Sequence, residues 1–194
     1  ARAHDSLFLF SYFIEGGVYR YMPKRIVIHN FVHPEDATNL MEFFDENDHL
    51  CSDARAFHKD RNIHFNKIPD HKIRNLLSYY ARKNIMFIDH CFGTKTKEWQ
   101  SMRMCRWLKG HSMPLHVDKQ PEYNDTMDYS SLVYLNDNYT GGELFFKNEN
   151  GTEEVSKMKA LSCIVFESDK TNGHGVKKIL GGKRYTIPSW YQNV

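Results

Sequence analysis

The sequence has little of what would staple, anchor or steer a chain. Its four cysteines, Cys51, Cys91, Cys105 and Cys163, form no C-x-x-C pair and no regular spacing. That excludes a dense disulfide framework and a sulfur-ligated zinc module, and it suits reduced core thiols in a reducing, cytoplasmic compartment. The early apolar run Leu7 to Ile14 is too short to cross a bilayer and lacks a basic leader or small-residue cleavage site, so neither a membrane span nor a signal peptide is expected. No sign of charge dominates: 26 Lys and Arg stand against 24 Asp and Glu. The basic residues are scattered, which leaves no footprint for nucleic acid or a lipid surface. Repeats, low-complexity segments and Gly/Ser/Pro-rich linkers are missing too. A single domain over 1–194 is therefore expected, helical over about 1–98 and β over about 99–194. What the chain does have is 41% hydrophobic and 14% aromatic residues in a length of 194, together with eleven histidines. Those imidazoles suit metal ligation, acid/base work or plain surface duty.

Two helix signals occupy the first half. In His33-Pro34-Glu35-Asp36 a proline fits the first helical turn, acidic residues suit a helix N-terminus, and Ala37, Leu40, Met41 and Phe44 follow at helical spacing. The second starts at Pro69-Asp70, runs through Ile73, Leu76, Leu77, Tyr80 and Ala81, and ends near Gly93. From Trp99 the pattern becomes short β-branched and aromatic segments between turn residues. Strands are predicted at 100–108, 113–118, 129–136, 143–147, 153–158, 160–167, 174–179 and 183–191. Eight strands at that spacing predict a mainly β (α+β) protein, a double-sheet jelly-roll or cupin-like barrel with the N-terminal helices packed outside it.

Within a strand, His116 and Asp118 of His116-Val117-Asp118 point to one face. A third ligand comes from His174, in Asn172-Gly173-His174-Gly175, where the flanking glycines permit close backbone approach. Two histidines and a carboxylate with open positions opposite form the facial triad of non-heme Fe(II) oxygenases. The same set can hold zinc for hydrolysis. The other nine histidines have no partners at ligand spacing.

Ten residues after His174 stands Arg184, within Gly181-Gly182-Lys183-Arg184-Tyr185-Thr186-Ile187-Pro188-Ser189-Trp190. With H-x-D and the distal histidine, this segment resembles the prolyl 4-hydroxylase group of Fe(II)/2-oxoglutarate dioxygenases, whose fold is a double-stranded β-helix. The likeness runs from about Trp107 to Trp190. Arg25-Ile26-Val27-Ile28-His29-Asn30-Phe31 and the helix after it look like that family's opening strand and helix. The resemblance implies that His116, Asp118 and His174 hold Fe(II) and that Arg184 binds the distal carboxylate of 2-oxoglutarate. It matches Trp190 to a tryptophan behind the distal histidine. Tyr129-Ser130-Ser131-Leu132-Val133-Tyr134-Leu135-Asn136, followed by Gly141-Gly142-Glu143, resembles the family's YLN…GGE block. It implies a second co-substrate contact from Tyr134 and a pocket position for Leu132. Where many members carry a tyrosine nine residues before the H-x-D histidine, this chain has Trp107, whose indole offers a single N–H donor.

Independently of the family, a guanidinium holds a carboxylate bidentately, and facing sheets about 10 Å apart leave room for a five-carbon diacid. No Ser/His/Asp or Cys/His constellation competes. The resemblance implies hydroxylation of an unactivated C–H with O₂ and 2-oxoglutarate as co-substrates, succinate and CO₂ as products and ascorbate as a reductant. The implied substrate is a prolyl residue of a peptide or protein, converted to 4-hydroxyproline. Two polar segments, 54–70 and 119–128, are expected to close over it, with Arg55, Arg61, Lys67 and Tyr123 as candidate contacts. Three alternatives stay open: the same chemistry on a lysyl residue, a free amino acid or a nucleobase; a zinc hydrolase, which has no need of Arg184; and a non-catalytic β-barrel binding module.

Overall fold

The computed structural model describes residues 24–52, 61–120, 122, 125–148 and 150–194. The run Leu7 to Ile14, Arg55 and Tyr123 lie outside them. Strand β1 (Arg25–Ile28) leads to helix α1 (Pro34–Glu46), β2 (Arg61–His64) to helix α2 (His71–Phe92). The remaining strands are β3 (Thr96–Trp107), β4 (Met113–His116), β5 (Tyr129–Tyr134), β6 (Thr140–Gly141), β7 (Leu144–Lys147), β8 (Glu153–Ser156), β9 (Cys163–Glu167), β10 (His174–Val176), β11 (Ile179–Gly181) and β12 (Arg184–Asn193). A six-stranded sheet in the order β1-β9-β5-β12-β3-β2 and a four-stranded sheet β4-β10-β7-β8 are antiparallel throughout, with a small β11-β6 ladder beside them. The protein is mainly β with two N-terminal helices, the double-stranded β-helix expected from the sequence.

Helix α1 begins at Pro34 with Glu35 and Asp36 in its first turn and buries Ala37, Leu40, Phe43 and Phe44. Helix α2 is capped by Asp70, whose carboxylate accepts from the backbone N–H of Lys72 (2.7 Å) and Ile73 (3.1 Å). It stops at Gly93, which takes the left-handed conformation at φ 64° that costs a residue without a Cβ little. Both apolar stripes cover one face of the large sheet, meeting Met102 and Met104 of β3, Val133 of β5, Val165 of β9 and Ile187 and Tyr191 of β12. Strand alternation turns the intervening residues of the same strands toward the small sheet. That inner space holds the candidate site.

The residues before 99 are not all helical: β1, β2 and the start of β3 join the large sheet. Strand β2 occupies part of the segment expected to be a lid. The predicted strand 174–179 is broken into β10, which pairs with β4 and β7 in the small sheet, and β11, which pairs with β6 in a ladder of its own. None of the four cysteines forms a disulfide, and Cys105 and Cys163 are buried. Among the described residues no helix is long and apolar enough to cross a membrane.

A charged cluster fastens α1 to the sheet. Asp45 accepts from Arg106 Nη1 (2.6 Å), Lys183 Nζ (2.8 Å) and the Tyr185 hydroxyl (2.7 Å). Burial raises the Asp45 pKa, but the hydrogen bonds from Lys183, Tyr185 and Arg106 outweigh it and bring the carboxyl from its ordinary 3.8 to about 2. Because the folded value is the lower one, this anchor contributes its full stability above about pH 4 and loses it as pH falls toward 2. Asp45→Asn should therefore remove part of the acid-induced loss of stability in that window and lower stability at neutral pH. Acid titrations of both proteins followed by circular dichroism check this; coincident curves would contradict it.

Candidate metal and co-substrate site

Strands β4 and β10 run side by side with His116 opposite His174 in register, so an antiparallel pair sets the two imidazoles together, ring centroids 4.4 Å apart. Gly175 makes this approach possible. A Cβ there would lie 2.7 Å from the Met113 carbonyl oxygen and 2.5 Å from the Phe145 ring. Beyond the end of β4, Asp118 completes the group: its Oδ1 is 3.5 Å from His116 Nε2 and its Oδ2 3.6 Å from His174 Nε2. One ligand atom from each of the three residues falls within 4.8 Å of the others, and no second such group occurs among the described residues.

Both imidazoles are oriented for ligation. Each Nδ1 lies 3.0 Å from a backbone carbonyl oxygen, of Pro114 for His116 and of Asn172 for His174. Donation there fixes the proton on Nδ1 and leaves the Nε2 lone pair facing Asp118. Burial pushes the pKa of His174 down, which favours the neutral ligating form. For His116, burial is outweighed by the hydrogen bond and charge of Asp118, and its pKa rises. Burial likewise raises Asp118, yet His116, His174 and the Ser130 hydroxyl hold its carboxyl well below the usual carboxylate range.

The opposite end of the same cavity is cationic. Arg184, at the start of β12, is fully buried, and its guanidinium lies over the rings of Tyr134 (4.9 Å) and Trp107 (5.2 Å). Its Nη2 donates to the Tyr134 hydroxyl at 3.0 Å, while Nε and Nη1 have no hydrogen-bond partner. No carboxylate pairs with it among the described residues. A buried guanidinium with two unused donors is costly unless an anion joins it. His116, Asp118, His174, Arg184, Thr186 and Leu132 all line this one cavity.

A sequence comparison matches residues 100–192 to the 2OG-Fe(II) oxygenase superfamily. That segment contains the triad, Arg184 and the strands that carry them. The match covers most of the β-core. Human prolyl 3-hydroxylase 2 is 34% identical over 94 residues, 41% of this chain and 13% of that protein. The chain thus spans a small fraction of that relative's length. Among solved structures, a Pseudomonas putida prolyl-4-hydroxylase superposes with a TM-score of 0.73 at 16% identity, covering 88% of this chain and 93% of the other. A Trichoplax adhaerens prolyl hydroxylase, solved with a hypoxia inducible factor oxygen degradation domain peptide, gives 0.72 at 19% identity, covering 88% and 84%. These two likenesses establish the fold.

The donor set suits the group for which the matched superfamily is named. Two imidazoles and a carboxylate leave several positions of an octahedral ion open, and the orphaned Arg184 donors fit a distal carboxylate. Trp107 and Trp190, both expected in the pocket, line it. The rings packed on His174 are, however, Phe166 (4.8 Å) and Phe146 (5.7 Å). Trp190 stands on β12 nearer the opening. Tyr134 is fully buried and touches Arg184 from behind rather than lining the cavity. Burial pushes its hydroxyl up to about 12 against the lowering charge of Arg184. It therefore remains a phenol, accepting from Arg184.

Three functional neighbours carry no motif in the sequence. Thr186, two residues along β12 from Arg184 on the same face, accepts from Trp107 Nε1 at 3.3 Å, so the indole N–H is already used and the threonine O–H stays available. The other two are Ser130 and Ser168. Ser130 Oγ donates to Asp118 Oδ2 at 2.7 Å and meets Ser168 Oγ at 2.7 Å. A hydroxyl on one carboxylate oxygen leaves the other for a metal and fixes its direction. Ser130→Ala should weaken Fe(II) or Mn(II) affinity by about tenfold, read by metal titration, with the melting temperature little changed. Unaltered metal affinity would contradict it. Of the expected substrate contacts, Arg61 is engaged by Asp48 (Nη2–Oδ2 2.7 Å) and Lys67 is exposed. Lys119 is held by Asp128 at 2.6 Å.

Proposed function

We propose that the chain carries an Fe(II)- and 2-oxoglutarate-dependent oxygenase that hydroxylates a prolyl residue of a peptide or protein. One observation carries this reading: a His116/Asp118/His174 triad and a buried arginine with unused donors share the two ends of one cavity. Fe(II) with 2-oxoglutarate supplies the oxidation of an unactivated C–H by O₂, with succinate and CO₂ as the other products. The chain's own residues bind and orient. His116 and His174 would hold the ion through their Nε2 lone pairs and Asp118 through one carboxylate oxygen.

At the far end Arg184, whose Nε and Nη1 have no partner, would hold the distal carboxylate, with the Thr186 hydroxyl on the same face of β12. Tyr134 holds Nη2 and so sets the plane of the guanidinium. Trp107, Leu132 and Trp190 wall the space and exclude water, strengthening the charged contacts inside. A zinc hydrolase would leave Arg184 a buried charge without a role. Ascorbate serves to keep the iron reduced, and the free cysteines support a reducing compartment.

A proline substrate is supported by the relatives, which differ in position: the Pseudomonas putida protein is a prolyl-4-hydroxylase and the human relative a prolyl 3-hydroxylase. Mass spectrometry of proline-bearing peptides incubated with Fe(II), 2-oxoglutarate and ascorbate tests the reading. The expected result is a gain of one oxygen on proline, with chromatography against 4- and 3-hydroxyproline standards assigning the carbon. Oxidation confined to lysyl residues or free amino acids would overturn the substrate, and none on any class would overturn the function.

A further inference from the structure

Strand β3 presents Ser101, Arg103, Cys105 and Trp107 to the inner face, while Met102 and Met104 enter the outer core and Arg106 turns to Asp45 and Asp48. The inner row therefore carries a cation, Arg103, four residues from Trp107. At about 3.3 Å per residue that is about 13 Å from the level of Arg184, whose register partner is Trp107. Arg103 stands where the interior cavity opens: it lines that cavity and also a groove on the surface, and His116, Asp118 and Trp190 are shared by both.

The guanidinium of Arg103 is held but not satisfied. It lies over the Trp190 ring at 4.9 Å, an arrangement that fixes its plane without using its donors. Its buried Nε has no hydrogen-bond partner, and no ion pair reaches it among the described residues. The groove beside it is otherwise formed by Ser101, Leu115, Gln120, Met127 and similar uncharged side chains. Among the described residues the one carboxylate there is Asp118, which belongs to the triad. An oriented, unpaired guanidinium at the mouth of a site, with apolar walls next to it, matches a carboxylate on the molecule that enters.

We infer that Arg103, mounted on Trp190, is a specificity-determining residue that selects peptides carrying a carboxylate side chain close to the reacting residue. This rests on the oxygenase reading above for the position of the reacting centre. Arg184 would take the carboxylate of the co-substrate deep in the cavity, and Arg103 that of the substrate at its opening. Leu115 and Met127 accept the apolar part of the same peptide.

The test uses blocked peptides with a central proline flanked on either side by Glu or by Gln, and the same set with alanine in place of proline. Binding is read by fluorescence anisotropy with Mn(II) and 2-oxoglutarate present, and hydroxylation by mass spectrometry with Fe(II). Wild type is expected to favour a Glu peptide over its Gln counterpart by about tenfold, the scale of one charge-assisted contact. Arg103→Met, which keeps an apolar stem on Trp190, should abolish that preference and leave the 2-oxoglutarate affinity unchanged. Arg103→Glu should reverse it toward Lys-flanked peptides. A wild type with no preference, or a preference that survives Arg103→Met, would overturn the inference, whether or not proline is hydroxylated. An Arg103-dependent preference kept by the alanine set, with no hydroxyproline formed, would uphold Arg103 and overturn the prolyl substrate instead.

Discussion

Replacing Arg184 by methionine is expected to weaken 2-oxoglutarate binding by about a hundredfold, the effect of removing one side of a buried charge pair, while Fe(II) affinity changes little. The reason lies in the resting protein. Arg184 is fully buried between Tyr134 and Trp107, which hold it through a hydrogen bond and two ring contacts, with two donors left for a ligand. Thermal stability should report this twice. The wild type should gain stability when Mn(II) and 2-oxoglutarate are added, by about 2.7 kcal/mol at a hundredfold excess over the dissociation constant. The variant, freed of an unpaired charge, should be at least as stable as ligand-free wild type and show no further gain from 2-oxoglutarate. A variant that melts far below wild type and loses iron as well would mean that Arg184 is a structural residue.

His174→Ala has the second large effect. It deletes one of three ligands, and of the two imidazoles His174 is the more deeply buried, gripped by Phe146 and Phe166. Metal retention and turnover should fall by about a thousandfold or more, since losing a group that merely orients a ligand already costs about 10- to 100-fold. His29→Ala, at an exposed position, should change neither. Because the His174→Ala protein also loses a packed ring, circular dichroism must accompany the titration. A folded variant that still binds Fe(II) with wild-type affinity would remove His174 from the site.

The three ligand residues and Arg184 were legible because they fall in short motifs, with glycines marking His174. The strand expected over 113–118 ends at His116, so Asp118 joins the group from just past β4 and not by alternation within it. Other parts depend on what the fold brings near. Ser130 and Ser168 are 38 residues apart, and serine has no pattern that separates a hydroxyl on a carboxylate from one in solvent. Arg61-Asn62-Ile63-His64 reads as polar loop, yet it is edge strand β2, paired along its length with β3 and joined on its other side by a single bridge from Asn62 to Ser52. Its pairing, not its composition, makes it a strand. Tyr134, expected as a co-substrate contact, is hydrogen-bonded to Arg184 and is not among the residues that line the cavity. The phenylalanines behind His174 come from β7 and β9, which no local spacing connects to it.

If the two ends of one cavity hold Fe(II) and 2-oxoglutarate together, the metal and Arg184 must both be required for one reaction. Succinate release from 2-oxoglutarate, measured with Fe(II), with Zn(II) and without metal, tests this most directly. The expected result is succinate with Fe(II) and O₂ only, raised by peptide substrate and lost in Arg184→Met. Turnover of 2-oxoglutarate that is absent with Fe(II), or hydrolysis of peptides that requires Zn(II) and survives Arg184→Met, would contradict it.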